Sequence, residues 1–188
     1  MDSANQAAKE LKDEMNIIPF DSASGTICMG MMVREAREMD RQGSTVDEIL
    51  KRLEFIRKKM VLVATLDTLK FASMSGRVKH LQAALASLLN VKPIIELKNG
   101  ILEMGEKVRS RAKSIELVLE KMKNKFGDTR INAGVLHARD PQSGMDLLQK
   151  VVDRFNCADA VIGELSISLA AHFGPGTIGM AAYPVQEK

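Results

Sequence analysis

The sequence predicts an α/β fold, a mixed sheet with helices on its faces. Three observations carry that reading. Short apolar runs of strand character alternate with longer segments whose apolar residues recur at helical spacing. An Asn-Gly pair between two apolar runs, Asn99-Gly100, places a hairpin inside that alternation, so the sheet cannot be wholly parallel. The chain is 45% apolar with a formal net charge of +3, a balance that supports a packed core and not a self-repelling coil.

Taken in order, Asn5 to Met15 favours helix, and Asn16 to Phe20 reads as a short strand ending at Pro19. The polar turn Asp21-Ser22-Ala23-Ser24-Gly25 leads into a helix over Thr26 to Gln42. The start of that helix, Cys28-Met29-Gly30-Met31-Met32, is apolar most of the way round and so predicts burial on more than one side. Gly43 ends it, Ser44 opens the next helix with Asp47 three residues on, and Ile49, Leu50, Leu53 and Ile56 give one apolar face. Met60 to Thr65 is a buried-strand run, Asp67 to Ala72 a short helix ending at Ser75-Gly76, and His80 to Leu89 a further helix. The hairpin pairs Lys92 to Leu97 with Ile101 to Met104, and Ala112 to Lys125 follows as a helix. Ile131 to His137 is a strand, and Asp140-Pro141 caps a helix with Met145, Leu148, Val152 and Phe155 on one face. From Asn156 to Gln186 there is no Lys or Arg, so this tail reads as mostly buried strands around a glycine turn.

The same composition excludes several functions. Aromatic residues make up only 4% of the chain, which argues against a base-stacking platform for nucleic acid. Cys28 and Cys157 lie far apart without a CxxC pair, so neither a zinc cage nor a disulfide framework is signalled. They read as free thiols of a cytoplasmic protein. No run approaches the roughly 18 apolar residues of a membrane span. No cofactor, metal ligand set or catalytic array of Ser-His-Asp, Cys-His or HExxH type is visible.

Two features carry candidate chemistry. Gly174-Pro175-Gly176-Thr177-Ile178-Gly179 fits G-x-G-x-x-G, but too little chain follows it for a dinucleotide fold, and a tight turn with positive φ accounts for its glycines. His172 beside it, placed by this reading at the end of a buried strand, suits a carboxylate or phosphate as well as it suits a backbone carbonyl. A phosphotransfer or hydrolytic enzyme using the Gly174–Gly179 turn is the alternative that follows from these residues. Lys107, Arg109, Arg111 and Lys113 crowd the start of a helix, where cations oppose the macrodipole and call for a compensating anion. Composition favours a solvated face paired with Glu103 and Glu106.

Several separated motifs then stand in a family order: Asp67-Thr68-Leu69 with Gly76-Arg77-Val78, Leu88 to Ile94, Glu106 to Arg111, and His172 to Gly179. In these the chain resembles the DegV family of bacterial fatty-acid-binding proteins. The resemblance implies a non-enzymatic protein that binds a long-chain fatty acid and presents its carboxylate to a fatty acid kinase. It implies His172 with Gly174 and Gly176 at the head group, apolar walls including Met31, Leu85, Leu89 and Ile94, and Arg77 and Arg109 at the acyl entrance or kinase face. It divides the chain into 1–59, the remainder of a first α/β domain, and 60–188, a DegV-like second domain. The family's early Thr/Ser loop has no counterpart here and Phe173 stands where a Thr is usual. Together these imply an N-terminally truncated member with weakened acyl binding, and an uncovered apolar face that favours self-association.

Overall fold

A computed structural model describes residues 1–74, 91–98 and 100–185. The helix expected over His80 to Leu89, and with it Arg77, Leu85 and Leu89, lies outside the described residues. In chain order the elements are α1 (Asp2–Glu10), α2 (Thr26–Arg41), α3 (Val46–Lys59), β1 (Val61–Thr65), α4 (Lys70–Met74), β2 (Lys92–Lys98) and β3 (Ile101–Val108). There follow α5 (Arg111–Phe126), β4 (Ile131–His137), α6 (Pro141–Arg154), β5 (Cys157–Glu164), α7 (Ile167–Phe173) and β6 (Ile178–Pro184).

The six strands form one sheet in the order β3-β2-β1-β6-β4-β5. Only β4 and β5 run parallel, because α6 carries the chain across between them; every other neighbouring pair is antiparallel. Side chains alternate through the sheet and build two cores. Val63, Ile94, Val135, Ile178 and Met180 pack with Val118, Leu119 and Met122 of α5 and Leu147 and Val151 of α6. Ala64, Ile95, Leu136 and Ala181 point the other way, toward Cys28, Met31 and Met32 of α2, Leu53 and Ile56 of α3, Ala72 of α4 and Phe173 of α7. The second core therefore crosses the boundary expected between residues 59 and 60. At Gly134 on β4 a Cβ would lie 2.6 Å from the Met31 sulfur, so the missing side chain is what lets α2 rest on the sheet.

Four expectations change. Asn16 to Phe20 forms no strand; Phe20 instead packs on the α2/α3 core under the Arg57 guanidinium, so burial of the ring, not a strand ladder, places this segment. Thr45, not Ser44, caps α3: its Oγ1 accepts the Glu48 amide while the Glu48 carboxylate accepts the Thr45 amide. The buried face of α6 is Gly144, Leu147 and Val151, with Met145 and Val152 exposed. The tail is not all strand, because Ile167–Phe173 is helical and β5, an edge strand, is only partly buried.

Candidate functional site

His172 occupies the last turn of α7 and is half-buried, so the strand-end placement is corrected. The helix stops because Gly174 takes φ 81° and ψ 169°, a conformation open essentially to glycine alone, and its amide closes the last turn on the Ala170 carbonyl at 2.8 Å. A Cβ at Gly174 would come within 2.2 Å of the Phe71 ring on α4. Gly176, also at positive φ, sits over Asp67, and its amide donates to the Ala138 carbonyl at 2.8 Å. The Ala138 amide returns a bond of 2.8 Å to the Thr177 carbonyl, and the buried Thr177 hydroxyl donates to the Gly174 carbonyl at 2.9 Å. The glycine motif is thus a tight turn clamped to the end of β4, which fixes where α7 and His172 stand. Asp67, beneath it, pairs with Lys92 at 2.5 Å.

Helices α4 and α7 pack together, yet Met74 and Ile167 remain 75% and 89% exposed. Arg109 is exposed just before α5, and Arg139, at φ 53°, is exposed between β4 and α6.

The remaining sequence-predicted positions separate. Met31 lies in the α2 core, on the α7 side of the sheet, whereas Ile94 is fully buried in the α5/α6 core on the other side. They cannot share one wall; in the strand alternation it is Ile95 that faces Met31's side. Sequence reading missed Thr177 and Ala138 as the clamp of the turn. It missed α7 too, although Ser166 before it and Gly174 after it are ordinary start and stop signals. A groove of about 1190 Å3 opens at the opposite end of the sheet, between the last turns of α3 and α5. Among the described residues none of the predicted site positions lines it, and three of its cations are already paired, Arg57 with Glu54 at 2.8 Å, Lys98 with Glu103 at 2.9 Å and Lys121 with Glu96 at 3.1 Å.

Both thiols are free. Burial pushes Cys28 up to about 12, and the half-buried Cys157 is raised first by burial and then by Asp159. Among the described residues no group of three or more His, Cys, Asp or Glu is placed to hold a metal, and no helix is long and apolar enough to cross a membrane.

Comparison with known proteins decides the family. The family described as "Uncharacterised protein, DegV family" matches residues 1–185. The chain belongs to the DegV family. Protein DegV of Bacillus subtilis is 26% identical over 180 residues, which cover 95% of this chain and 64% of that protein. A DegV relative named fatty acid-binding protein, from Thermotoga maritima, is 27% identical over 189 residues, 99% of this chain and 65% of its own. The chain thus spans a little under two thirds of these relatives. Among solved DegV structures, one described as the fatty acid binding of a DegV family protein from Thermus thermophilus superposes with a TM-score of 0.87 at 32% identity, over 98% of this chain and 66% of that one. The mixed α/β sheet is therefore the DegV fold, and the Thermotoga and Thermus relatives are described by their fatty acid binding.

Proposed function

We propose that this chain binds a long-chain fatty acid as a non-enzymatic carrier in the cytoplasm. Its carboxylate is received at His172 and the Gly174–Thr177 turn, and its acyl chain lies on the α2/α7 side of the sheet. The observation that carries the reading is the juxtaposition at α7. A half-buried histidine stands on a helix end held by a two-way backbone clamp, and the same helix and its neighbour α4 leave large apolar side chains open. An amphiphile with one anionic end matches that pairing, because the apolar residues gain by burial while the histidine supplies a hydrogen-bond donor. The fatty-acid-binding descriptions of the Thermotoga and Thermus relatives support it. Met31 belongs to the wall in this reading, Arg77, Leu85 and Leu89 are carried as family positions, and Ile94 is left out of the wall. Arg109 and its neighbours then offer a basic surface to a separate fatty acid kinase that takes up the presented carboxylate.

Titration with a fluorescent long-chain fatty acid tests this. Saturable binding is expected, displaced by unlabelled fatty acid, and His172→Ala should weaken it by about 10- to 100-fold, the worth of one hydrogen bond to a charged group. Absence of saturable binding, or equal affinity in the variant, contradicts the assignment.

A further inference from the structure

The two edges of the sheet are built differently. Edge strand β3 exposes Glu103, Glu106 and Lys107, charged side chains of the kind that keep an open edge from pairing. Edge strand β5 runs through Ala160-Val161-Ile162-Gly163 without a charge, and among the described residues no strand lies beyond it. The Leu165 amide donates to the His137 carbonyl of β4, so by alternation Ala160, Ile162 and Glu164 turn their backbone groups to the open side.

Each helix beside this edge leaves a flank uncovered there. On α6, Lys150 and Arg154 reach Glu116 of α5 at 3.2 and 2.5 Å, so that flank faces inward along the sheet. Pro141, Met145, Leu148 and Val152 follow the opposite flank, past β5, with Met145 53% and Val152 49% exposed. On the other face of the sheet, Ile27 of α2 rests at Gly163 and Arg34 pairs with Asp159 at 2.6 Å. Gly30, between them, is therefore level with Val161, and nothing lies within 4 Å of where its Cβ would stand.

We propose that this edge pairs with itself, two copies of the chain joining as a dimer through antiparallel β5 strands about a two-fold axis at Val161. In that register Ala160 and Ile162 exchange backbone hydrogen bonds with Ile162 and Ala160 of the second copy. Asp159 falls opposite Gly163 and Glu164 opposite Ala158, so no like charges meet. Gly163 lies against the first turn of α2, a helix start with no acid and no side-chain cap, so each Asp159 arrives beside a positive helix end. Gly144 of α6 sits at Ile162, which puts Met145 against Leu148 and Val152 against Pro141 across the axis, apolar on apolar. On the α2 face the bare Gly30 positions let the two helices approach. A second copy is the occupant these features fit, since it supplies both the matching stripe and the acid at each α2 start. The interface does not depend on the acyl reading.

Analytical ultracentrifugation of the wild-type chain over a concentration series, with hydrogen exchange at its dilute and concentrated ends, tests the proposal. A reversible monomer–dimer equilibrium is expected, with the Ala160 and Ile162 amides exchanging more slowly in the dimer. Met145→Lys changes an exposed position, so the fold should hold, yet the two-fold puts its charge into the interface twice and should weaken dimerisation about 100-fold. Ile101→Lys, on the exposed start of β3, should dimerise as wild type. A wild-type chain that stays monomeric at every concentration, as it would if some other segment or partner covers the edge, overturns the proposal. So does a dimer that Met145→Lys leaves unweakened, or one whose Ala160 and Ile162 amides gain no protection.

Discussion

Gly174→Ala is the sharpest perturbation of the backbone that positions His172. At φ 81° and ψ 169° an alanine sits where L side chains are essentially absent, a backbone cost of about 1–3 kcal/mol. Its Cβ would also lie 2.2 Å from Cδ2 and 2.7 Å from Cε2 of Phe71, so the ring must leave its place, at about 1–3 kcal/mol of overpacking. The sum, about 2–6 kcal/mol, should appear in urea unfolding as a lower midpoint with an unchanged slope, and in melting as a fall of about 2–4 °C per kcal/mol. The two parts separate in a cycle. With Phe71→Ala already in place, the steric part vanishes and Gly174→Ala should cost only the backbone part. A loss below about 0.5 kcal/mol in the single variant, in the range of ordinary surface substitutions, would refute the account of how α7 is terminated and His172 positioned.

Other outcomes follow from the same structure. Thr45→Ala removes the capping box of α3 and should cost about 1 kcal/mol in chemical denaturation; no loss would remove that box from the account. In the native protein a thiol reagent at pH 8 should modify the half-buried Cys157 and spare Cys28, until denaturant exposes both. Because the folded Cys28 thiol ionises near 12 against an ordinary 9.0, its contribution is whole below pH 9 and lost as pH rises toward 12. Cys28→Ala should accordingly flatten the alkaline fall in unfolding free energy, and an identical pH profile would contradict the burial of that thiol. Met31→Ala empties the space between α2 and Gly134 and should cost about 2–5 kcal/mol by urea unfolding; a cost under about 1 kcal/mol would place the helix elsewhere.

The elements that the sequence made legible are those whose signals are local. Asn-Gly between apolar runs gives the β2–β3 hairpin, Asp140-Pro141 opens α6, and the periodicity of Ile115, Val118, Leu119 and Met122 gives α5. Where pairing decides, local signals fail. Asn16 to Phe20 has strand composition and forms no strand, its Phe20 ring being taken up by the α2/α3 core. Helix α7 is seven residues without a charged face, too short to stand alone, and it exists because α4 packs on it and the Gly174 turn is clamped to β4. The glycine turn and His172 were readable as chemistry, but which side of the sheet each apolar residue faces is a register fact. That is why Met31 and Ile94 looked like one wall and lie in two cores.

In the proposed function His172, held by the glycine turn, receives the carboxylate of a long acyl chain. The most direct test of that claim is mass spectrometry of lipid extracted from the purified protein, wild type beside His172→Ala. The account predicts long-chain fatty acid at close to one per chain in the wild type and a clear deficit in the variant. Lipid-free wild-type protein that also takes up none on incubation with fatty acid, or equal loading of the two proteins, would contradict it.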